Sequence, residues 1–327
     1  AIRWGVTYWD TAHVYSGGRS EEGIGQYFQR YPLDREKIFL VTKSTARDPQ
    51  GLSRDLAISL KRMSTDSIDL FFVHAVRDAA NLDSQIREWA KQQKAEGKIR
   101  LFGFSTHSNM ERCLTDAARM GWIDGIMMTY NFRLMREAQM QTAVDACVDA
   151  GIGLTAMKTQ GGGGVSTESA HALELAGRFL AKGFTDKQAK LKAVWENPRI
   201  AAICSQMPTM SILMANIAAA VDRTALTEND HGHIEQYARQ TFSQYCAGCT
   251  RICENAVDGK VPVGDIMRCL MYARSYGDPD DARRRFAAIP DAVRQQLTRQ
   301  DYTLAENQCP RRLPIARLMG EAARELV

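Results

Sequence analysis

The fold of this 327-residue chain is decided by one stretch near its start, residues 8–15, with the sequence YWDTAHVY. Its first half is typical of a short strand, and its second half of the loop that follows. Asp10 closes the strand, and Tyr15 comes five residues later. Two further apolar runs each end in one ionisable residue, Lys43 after FLVT and His74 after LFFV. In a parallel barrel the carboxyl ends of successive strands meet at one rim, where active sites lie, so these four side chains are expected to converge.

The chain up to about residue 220 repeats this rhythm of short apolar run and amphipathic stretch. Such an alternation predicts βαβ units and a parallel sheet. Seven strands can be counted between Tyr8 and Cys204. We therefore expect a (β/α)8 TIM barrel whose first strand and most of whose first helix precede residue 1. Ser20 is the N-cap candidate of the helix after the first strand, and a further helix is expected over Ala170–Leu180.

The pattern changes beyond about residue 225, where strand-like runs disappear and several cysteines lie close together. Helical segments dominate from there to the end of the chain. We predict two domains: a TIM barrel over residues 1–225, and a helical C-terminal domain containing a cysteine cluster over residues 226–327.

Composition narrows the class of protein. Hydrophobic residues make up 45% of the chain and charged residues 24%, which is ordinary for a globular protein. The net charge of +4 is small for this length, so no nucleic-acid partner is expected. No apolar run approaches the roughly 20 residues that span a bilayer, so no membrane partner is expected either. We expect a cytoplasmic protein, with export to the periplasm as the alternative, because any export signal would precede residue 1.

The motifs around the four ionisable residues resemble those of the aldo-keto reductase superfamily. They are DTAxxY over Asp10–Tyr15, SExxIG over Ser20–Gly25, the strand-end Lys43, and DLxxxH over Asp69–His74. The resemblance implies a nicotinamide-dependent oxidoreductase that interconverts a small-molecule carbonyl and alcohol substrate. The alternative is a non-catalytic binding or regulatory subunit of the same fold with a structural metal site.

The four residues also make chemical sense together. Carbonyl reduction needs a hydride donor and an acid at the carbonyl oxygen, and Tyr15 is the expected acid. A free phenol has a pKa near 10, and a lysine ammonium close by lowers such a pKa. Lys43 can act in this way, Asp10 can hold Lys43 charged and in place, and His74 can hydrogen-bond the carbonyl oxygen. The resemblance implies the same four catalytic roles.

The resemblance further implies a set of cofactor-binding residues, with NADP as the usual cofactor. Three match positions around the nicotinamide and two match positions near the phosphate and adenine: Ser105, Asn131 and Met157, and Ser205 and Asn216. Residues 205–211, SQMPTMS, align with the phosphate-binding loop but contain no basic residue for a 2′-phosphate. The expected cofactor is therefore NADP or NAD. The glycine run at residues 161–164 lacks the context of a Rossmann fingerprint.

Four cysteines form the remaining pattern. Cys246, Cys249 and Cys253 are followed much later by Cys309, which precedes a proline as in bacterial ferredoxins. The pattern resembles a bacterial subgroup of aldo-keto reductase-like proteins with an iron–sulfur C-terminal domain. The resemblance implies a [4Fe–4S] cluster on these four thiolates and a redox partner protein. Structural zinc, and disulfides or plain thiols, are the alternatives; Cys269 falls in a predicted helix and is expected to be a buried thiol.

Overall fold

The structure, a computed structural model, describes residues 1–161 and 185–327. The predicted helix Ala170–Leu180 and the last three residues of the glycine run lie outside the described residues. The chain divides into two compact units, each discontinuous in sequence. The first comprises Ala1–Tyr130, Met135–Thr159 and Val194–Arg223; the second comprises Asn131–Leu134, the described part of Gln160–Ala193, and Thr224–Val327.

The first unit is built on a parallel sheet. Its described strands are β1 Tyr8–Asp10, β2 Phe39–Ser44, β3 Ile68–Val73, β4 Ile99–Thr106, β5 Gly125–Thr129, β6 Gly153–Met157 and β7 Ala202–Cys204. Each strand pairs in parallel with the next, in the order β1 to β7. Strand β1 also approaches β7, so the sheet curls into a nearly closed barrel. This confirms the predicted parallel barrel for the described strands.

Helices alternate with the strands of the first unit. In the first unit they are α1 Arg19–Arg30, α2 Pro49–Met63, α3 Ser84–Ala95, α4 Met110–Met120, α5 Ala138–Asp149 and α7 Met210–Val221. Helix α6, Asp186–Trp195, precedes β7 in the chain, and its residues 186–193 belong to the second unit. Because both faces of such a sheet are covered, its strands are apolar almost throughout. No helix in the described part of the chain is long and apolar enough to cross a membrane.

One face of the sheet carries an apolar cluster formed by Val41, Leu70, Phe72, Met127 and Met157. Side chains alternate between the two faces of a strand. The Lys43 side chain therefore leaves β2 on the same face as Val41. A charged group is thus placed directly beyond the apolar packing at the carboxyl end of the sheet.

Helix α1 begins differently from the prediction. Its N-cap is Gly18, which has a φ of 98° and offers no side-chain cap. Ser20 lies inside the helix, where its hydroxyl accepts a hydrogen bond of 2.8 Å from Thr11 Oγ1. The N-cap prediction for Ser20 is therefore wrong. The loop from β1 enters the helix through a left-handed residue, a conformation that glycine adopts without strain.

The described part of the second unit contains helices and no strand. After residue 224 they are α8 Glu228–Gln240, α9 Thr250–Asn255, α10 Val263–Ser275, α11 Pro279–Ala287, α12 Asp291–Arg294, α13 Thr303–Gln308 and α14 Ile315–Glu325. Helix α8 starts with a capping box, in which Thr227 caps the backbone N–H of Asp230 and the Asp230 side chain accepts from the Thr227 backbone.

Helices α1 and α2 approach each other so closely that a side chain is excluded at Gly25. A Cβ there would lie 2.0 Å from the backbone oxygen of Arg62, whereas a Cβ on Gly23 of the same helix would meet nothing within 4 Å. We expect Gly25→Ala to lower the free energy of unfolding by roughly 1–3 kcal/mol through overpacking. Gly23→Ala should raise it by up to about 1 kcal/mol, because alanine favours helix. Urea unfolding followed by circular dichroism measures both; equal effects would show that close approach does not require Gly25.

Candidate active site

The barrel places the four predicted catalytic residues at the carboxyl ends of three neighbouring strands. Asp10 is the last residue of β1, and Lys43 is the penultimate residue of β2. His74 directly follows β3, and Tyr15 begins a short helical turn between β1 and α1. Parallel pairing sets Asp10 beside Val41 and Lys43 beside Phe72, so the strand ends lie at one rim.

Lys43 is buried, with 1% of its surface exposed. Its Nζ donates to Asp10 Oδ1 at 2.5 Å, to Asp10 Oδ2 at 2.6 Å and to the backbone oxygen of Thr11 at 2.7 Å. An ammonium has three N–H donors, and all three are used here. Burial acts to lower the pKa of Lys43, but the charge and hydrogen bond of Asp10, together with the charges of Tyr15 and Cys204, outweigh burial and raise the pKa above its ordinary value. The lysine is therefore held charged.

Tyr15 and His74 complete the group. Lys43 Nζ lies 5.1 Å from the centroid of the Tyr15 ring. The rings of Tyr15 and His74 meet edge to face, with centroids 5.6 Å apart and planes at 80°. The structure thus brings a carboxylate, an ammonium, a phenol and an imidazole together at the rim. In such a group the Lys43 charge lies beside Tyr15, which can donate a proton, and His74 offers a second hydrogen-bond donor next to Tyr15.

The backbone around His74 is held by several hydrogen bonds. His74 N donates to Ser44 O at 2.8 Å, and Ala75 adopts a left-handed φ of 54°. Ala75 N donates to Ser105 Oγ at 3.0 Å. The Arg47 guanidinium donates to His74 O at 2.5 Å. Arg47, which the sequence analysis did not single out, therefore supports the loop that carries the imidazole.

Three of the predicted cofactor residues lie where strands of the barrel end. Ser105 is buried near the end of β4, where its hydroxyl oxygen accepts from Ala75 N. Met157 ends β6 and packs in the apolar cluster of the sheet. Ser205 follows β7, and its hydroxyl accepts a 3.2 Å hydrogen bond from Asn216 Nδ2, so Ser205 and Asn216 are brought together.

Asn131 has a different setting. It is fully buried and belongs to the second unit. Its Nδ2 donates to Tyr245 Oη at 3.0 Å, and its Oδ1 accepts from Arg133 N at 3.0 Å. The partner of this side chain is therefore the residue just before Cys246, which no local sequence signal indicated.

A thiol that the sequence analysis treated as an ordinary buried cysteine lies beside Asp10. Cys204 ends β7, and its side chain hydrogen-bonds Asp10. Burial raises the pKa of Cys204, and the Asp10 charge acts in the same direction. The thiol is therefore protonated at neutral pH and acts as a neutral donor to the carboxylate. No motif marks Cys204; its position at the end of the last barrel strand was the available signal.

The four predicted cysteine ligands line a single pocket in the second unit. Cys246, Cys249, Cys253 and Cys309 share it with Arg311 and with apolar side chains that include Val263, Met267, Leu313 and Ile315. Burial raises the pKa of Cys246 to about 11. Cys269 is buried in α10 and does not line this pocket.

None of the eight cysteines, all of which lie among the described residues, is in a disulfide. Among residues 1–161 and 185–327, no group of three or more His, Cys, Asp or Glu side chains is arranged to hold a metal ion. The four thiols therefore share a pocket without forming a compact site for one ion.

The sequence of the chain is similar to that of known proteins. The Aldo/keto reductase family matches residues 1–215. The uncharacterized oxidoreductase YqkF of Bacillus subtilis is 27% identical over 270 residues, covering 73% of this chain and 86% of YqkF. Aldo-keto reductase str7 of Strobilurus tenacellus is 37% identical over 107 residues, and this match spans only 31% of each protein.

The fold has solved counterparts. The crystal structure of an aldo-keto reductase from Klebsiella pneumoniae in complex with NADPH is 24% identical, with a TM-score of 0.58. That match covers 73% of this chain and 81% of the Klebsiella chain. The parallel barrel, the family match over residues 1–215 and these relatives agree, and the chain belongs to the Aldo/keto reductase family, a family of enzymes.

Proposed function

We propose that the chain is a nicotinamide-dependent oxidoreductase that interconverts a small-molecule carbonyl and its alcohol. The observation that carries the proposal is the position of Lys43 Nζ, which meets the Asp10 carboxylate and lies 5.1 Å from the centroid of the Tyr15 ring. An ammonium at this place stabilises the phenolate form of Tyr15. That stabilisation is what a phenol needs in order to donate its proton efficiently near neutral pH.

The nicotinamide supplies the hydride for reduction, and the four residues manage the proton. Tyr15 gives its phenolic proton to the carbonyl oxygen, and His74 donates a hydrogen bond to the same oxygen and fixes its direction. Asp10 keeps Lys43 charged throughout. For alcohol oxidation the steps reverse, and the Tyr15 phenolate accepts the proton. Burying Lys43 costs free energy that Asp10 must offset, which favours a catalytic role over that of a non-catalytic regulatory subunit.

The cofactor proposed for the site is NADP(H) or NAD(H). The NADPH in the similar Klebsiella structure supports NADP(H), whereas residues 205–211 offer no cation for a 2′-phosphate. Ser105 and Met157 are proposed to contact the nicotinamide, and Ser205 and Asn216 the phosphate and adenine. Asn131 stays a predicted cofactor residue, and its amide already donates to Tyr245 Oη and accepts from Arg133 N.

The proposed proton donor can be tested directly. We expect Tyr15→Phe to lower kcat for carbonyl reduction by about 10²–10⁴-fold, the usual contribution of a positioned acid. The dissociation constant of the cofactor should stay the same, because only one hydroxyl is removed. Tyr31→Phe, at a tyrosine that is 45% exposed, is the control and should keep full activity. Full turnover in Tyr15→Phe would show that another group supplies the proton.

Cofactor preference tests the phosphate-binding loop. A charge-assisted hydrogen bond is worth about 1.5–3 kcal/mol, or at least about tenfold in affinity. Because residues 205–211 lack the cation, we expect NADPH and NADH to bind with dissociation constants within about tenfold of each other. Titration of protein fluorescence with each nucleotide measures this ratio. A preference for NADPH of 100-fold or more would mean that a cation elsewhere in the chain holds the 2′-phosphate.

The cysteine pocket supports a second proposal, a [4Fe–4S] cluster held by Cys246, Cys249, Cys253 and Cys309. Four thiols facing one largely apolar pocket are a suitable donor set for iron and sulfide. A cubic cluster also spaces its four thiolates more widely than a single zinc ion, whose sulfur ligands lie about 2.3 Å from the metal. The proposal therefore rests on the shared pocket and on the chemistry of its four thiolates, and zinc stays the alternative. When bound, the cluster would transfer single electrons, for which a redox partner protein is proposed.

This proposal is tested by a pair of cysteine variants. In anaerobically purified protein we expect Cys309→Ser to lower the iron and acid-labile sulfide content to less than half of the wild-type content, because one of four ligands is lost. Cys269→Ser, outside the pocket, should leave both contents unchanged. Zinc in place of iron in the wild-type protein would identify a structural zinc site. Wild-type protein without iron or zinc would leave plain thiols as the correct description.

A further inference from the structure

A partly buried ion pair lies behind the strand that carries Lys43. The Glu21 side chain, on α1, is fully buried, and Arg62 on α2 donates to its Oε2 from Nη1 at 3.2 Å. Glu21 Oε1 also accepts a 2.6 Å hydrogen bond from Thr42 Oγ1. Thr42 is the neighbour of Lys43 and is itself fully buried. The pair is therefore attached to β2 immediately beside the proposed catalytic ammonium.

The same arginine holds the loop that carries Tyr15. Arg62 Nη1 donates to the backbone oxygen of His13 at 3.0 Å. At the other end of the loop, a Cβ on Gly18 would lie 2.5 Å from Arg62 Cζ, so the guanidinium lies against the Gly18 backbone. Tyr15 lies between these two points. His13 N in turn donates to Lys43 O at 2.9 Å. The tyrosine loop is thus fixed on both sides of Tyr15 by one side chain, whose charge is held by Glu21.

We infer that the Glu21–Arg62 pair is a positioning device that keeps the Tyr15 phenol at the Lys43 ammonium and thereby sets the pH at which Tyr15 ionises. This inference deepens the proposed function, on which it rests for its catalytic consequence. An ammonium favours a phenolate more strongly the closer it lies. If the loop is released, Tyr15 moves away from Lys43 and ionises at higher pH.

Several charged and titratable groups lie around Tyr15 and around the ion pair. Lys43 of β2 lies over the Tyr15 ring and is paired with Asp10 of β1, and His74, from the loop after β3, meets the Tyr15 ring edge to face. The ion pair faces His13, whose ring lies 3.4 Å from Arg62 Nη1 and 3.9 Å from Asp55. Asp55 accepts from Ser44 Oγ at 2.6 Å and lies 3.3 Å from Arg54.

The chain offers a matched control at the opposite end of the barrel. Arg35 pairs with Asp69 at 3.0 Å, and its side chain is 20% exposed against 25% for Arg62. It also donates to the backbone oxygens of Ile38 and Ser67, which directly precede β2 and β3. Residues at the amino-terminal face of a barrel usually contribute to stability, whereas active sites lie at the carboxyl-terminal face. Replacing Arg35 should therefore lower stability without affecting Tyr15.

The experiment measures the ionisation of Tyr15 without substrate or cofactor. Absorbance at 295 nm is recorded against pH for wild type, Arg62→Gln, Glu21→Gln, Arg62→Lys and Arg35→Gln. From each curve, the curve of the same protein carrying Tyr15→Phe is subtracted, which leaves the titration of Tyr15. We expect Arg62→Gln and Glu21→Gln to move the Tyr15 titration upward by about one pH unit. Arg62→Lys should titrate between wild type and Arg62→Gln, because the lysine ammonium keeps the charge but not the full set of contacts. Arg35→Gln should leave the titration in place.

Turnover separates this inference from the proposed function. With a panel of aldehydes and ketones, Arg62→Gln should lower kcat by about 10–100-fold with little change in KM, since a misplaced donor affects the chemical step. A Tyr15 titration that moves in protein reducing no carbonyl would sustain the positioning role and overturn the proposed function. If the titration stays at the wild-type pH in both Arg62→Gln and Glu21→Gln, the positioning role is wrong, whatever the activity.

Discussion

An ammonium group removed from water must find its solvation within the protein, and Lys43 finds it in three oxygen atoms. Two belong to the Asp10 carboxylate and one to the Thr11 backbone. All three acceptors come from the end of β1, so the charge can be buried only if β1 and β2 keep their register. The residues at this rim of the barrel therefore solvate one cation. The Tyr15 phenol lies next to that cation, and the His74 imidazole packs against the phenol.

The residues on either side of Lys43 extend this arrangement outward. Thr42 and Ser44 leave β2 on the opposite face, where their hydroxyls donate to Glu21 and Asp55 of the surrounding helices. One strand thus carries an ammonium toward the barrel and two hydroxyls toward the helix layer. Each buried carboxylate gains a donor, which offsets part of the cost of its burial. Strand, loop and helices are in this way fixed by neighbouring residues of a single segment.

Sequence reasoning succeeded where position follows from strand geometry. Asp10, Lys43 and His74 close consecutive strands, and parallel pairing alone brings such residues to one rim. It failed where a contact joins distant segments: Arg62 and Glu21 are 41 positions apart, and their meeting depends on how α1 and α2 pack. The N-cap prediction for Ser20 failed because Thr11 takes its hydroxyl and a left-handed glycine starts the helix. The cofactor roles and the iron–sulfur cluster remain predictions.

The loop after β5 limits how far this protein can be shortened. Asn131 shares its amide with Tyr245, and the buried Arg133 guanidinium lies 4.9–5.2 Å from the ring centroids of Phe132, Tyr237 and Tyr245. A chain ending near residue 225 would keep all seven described strands yet lose two of those rings and the partner of the amide. Uncompensated groups of this kind each cost roughly 1–3 kcal/mol when they stay buried. Residues beyond 225 therefore complete the packing of the loop after β5, although all four of the proposed catalytic residues precede that loop.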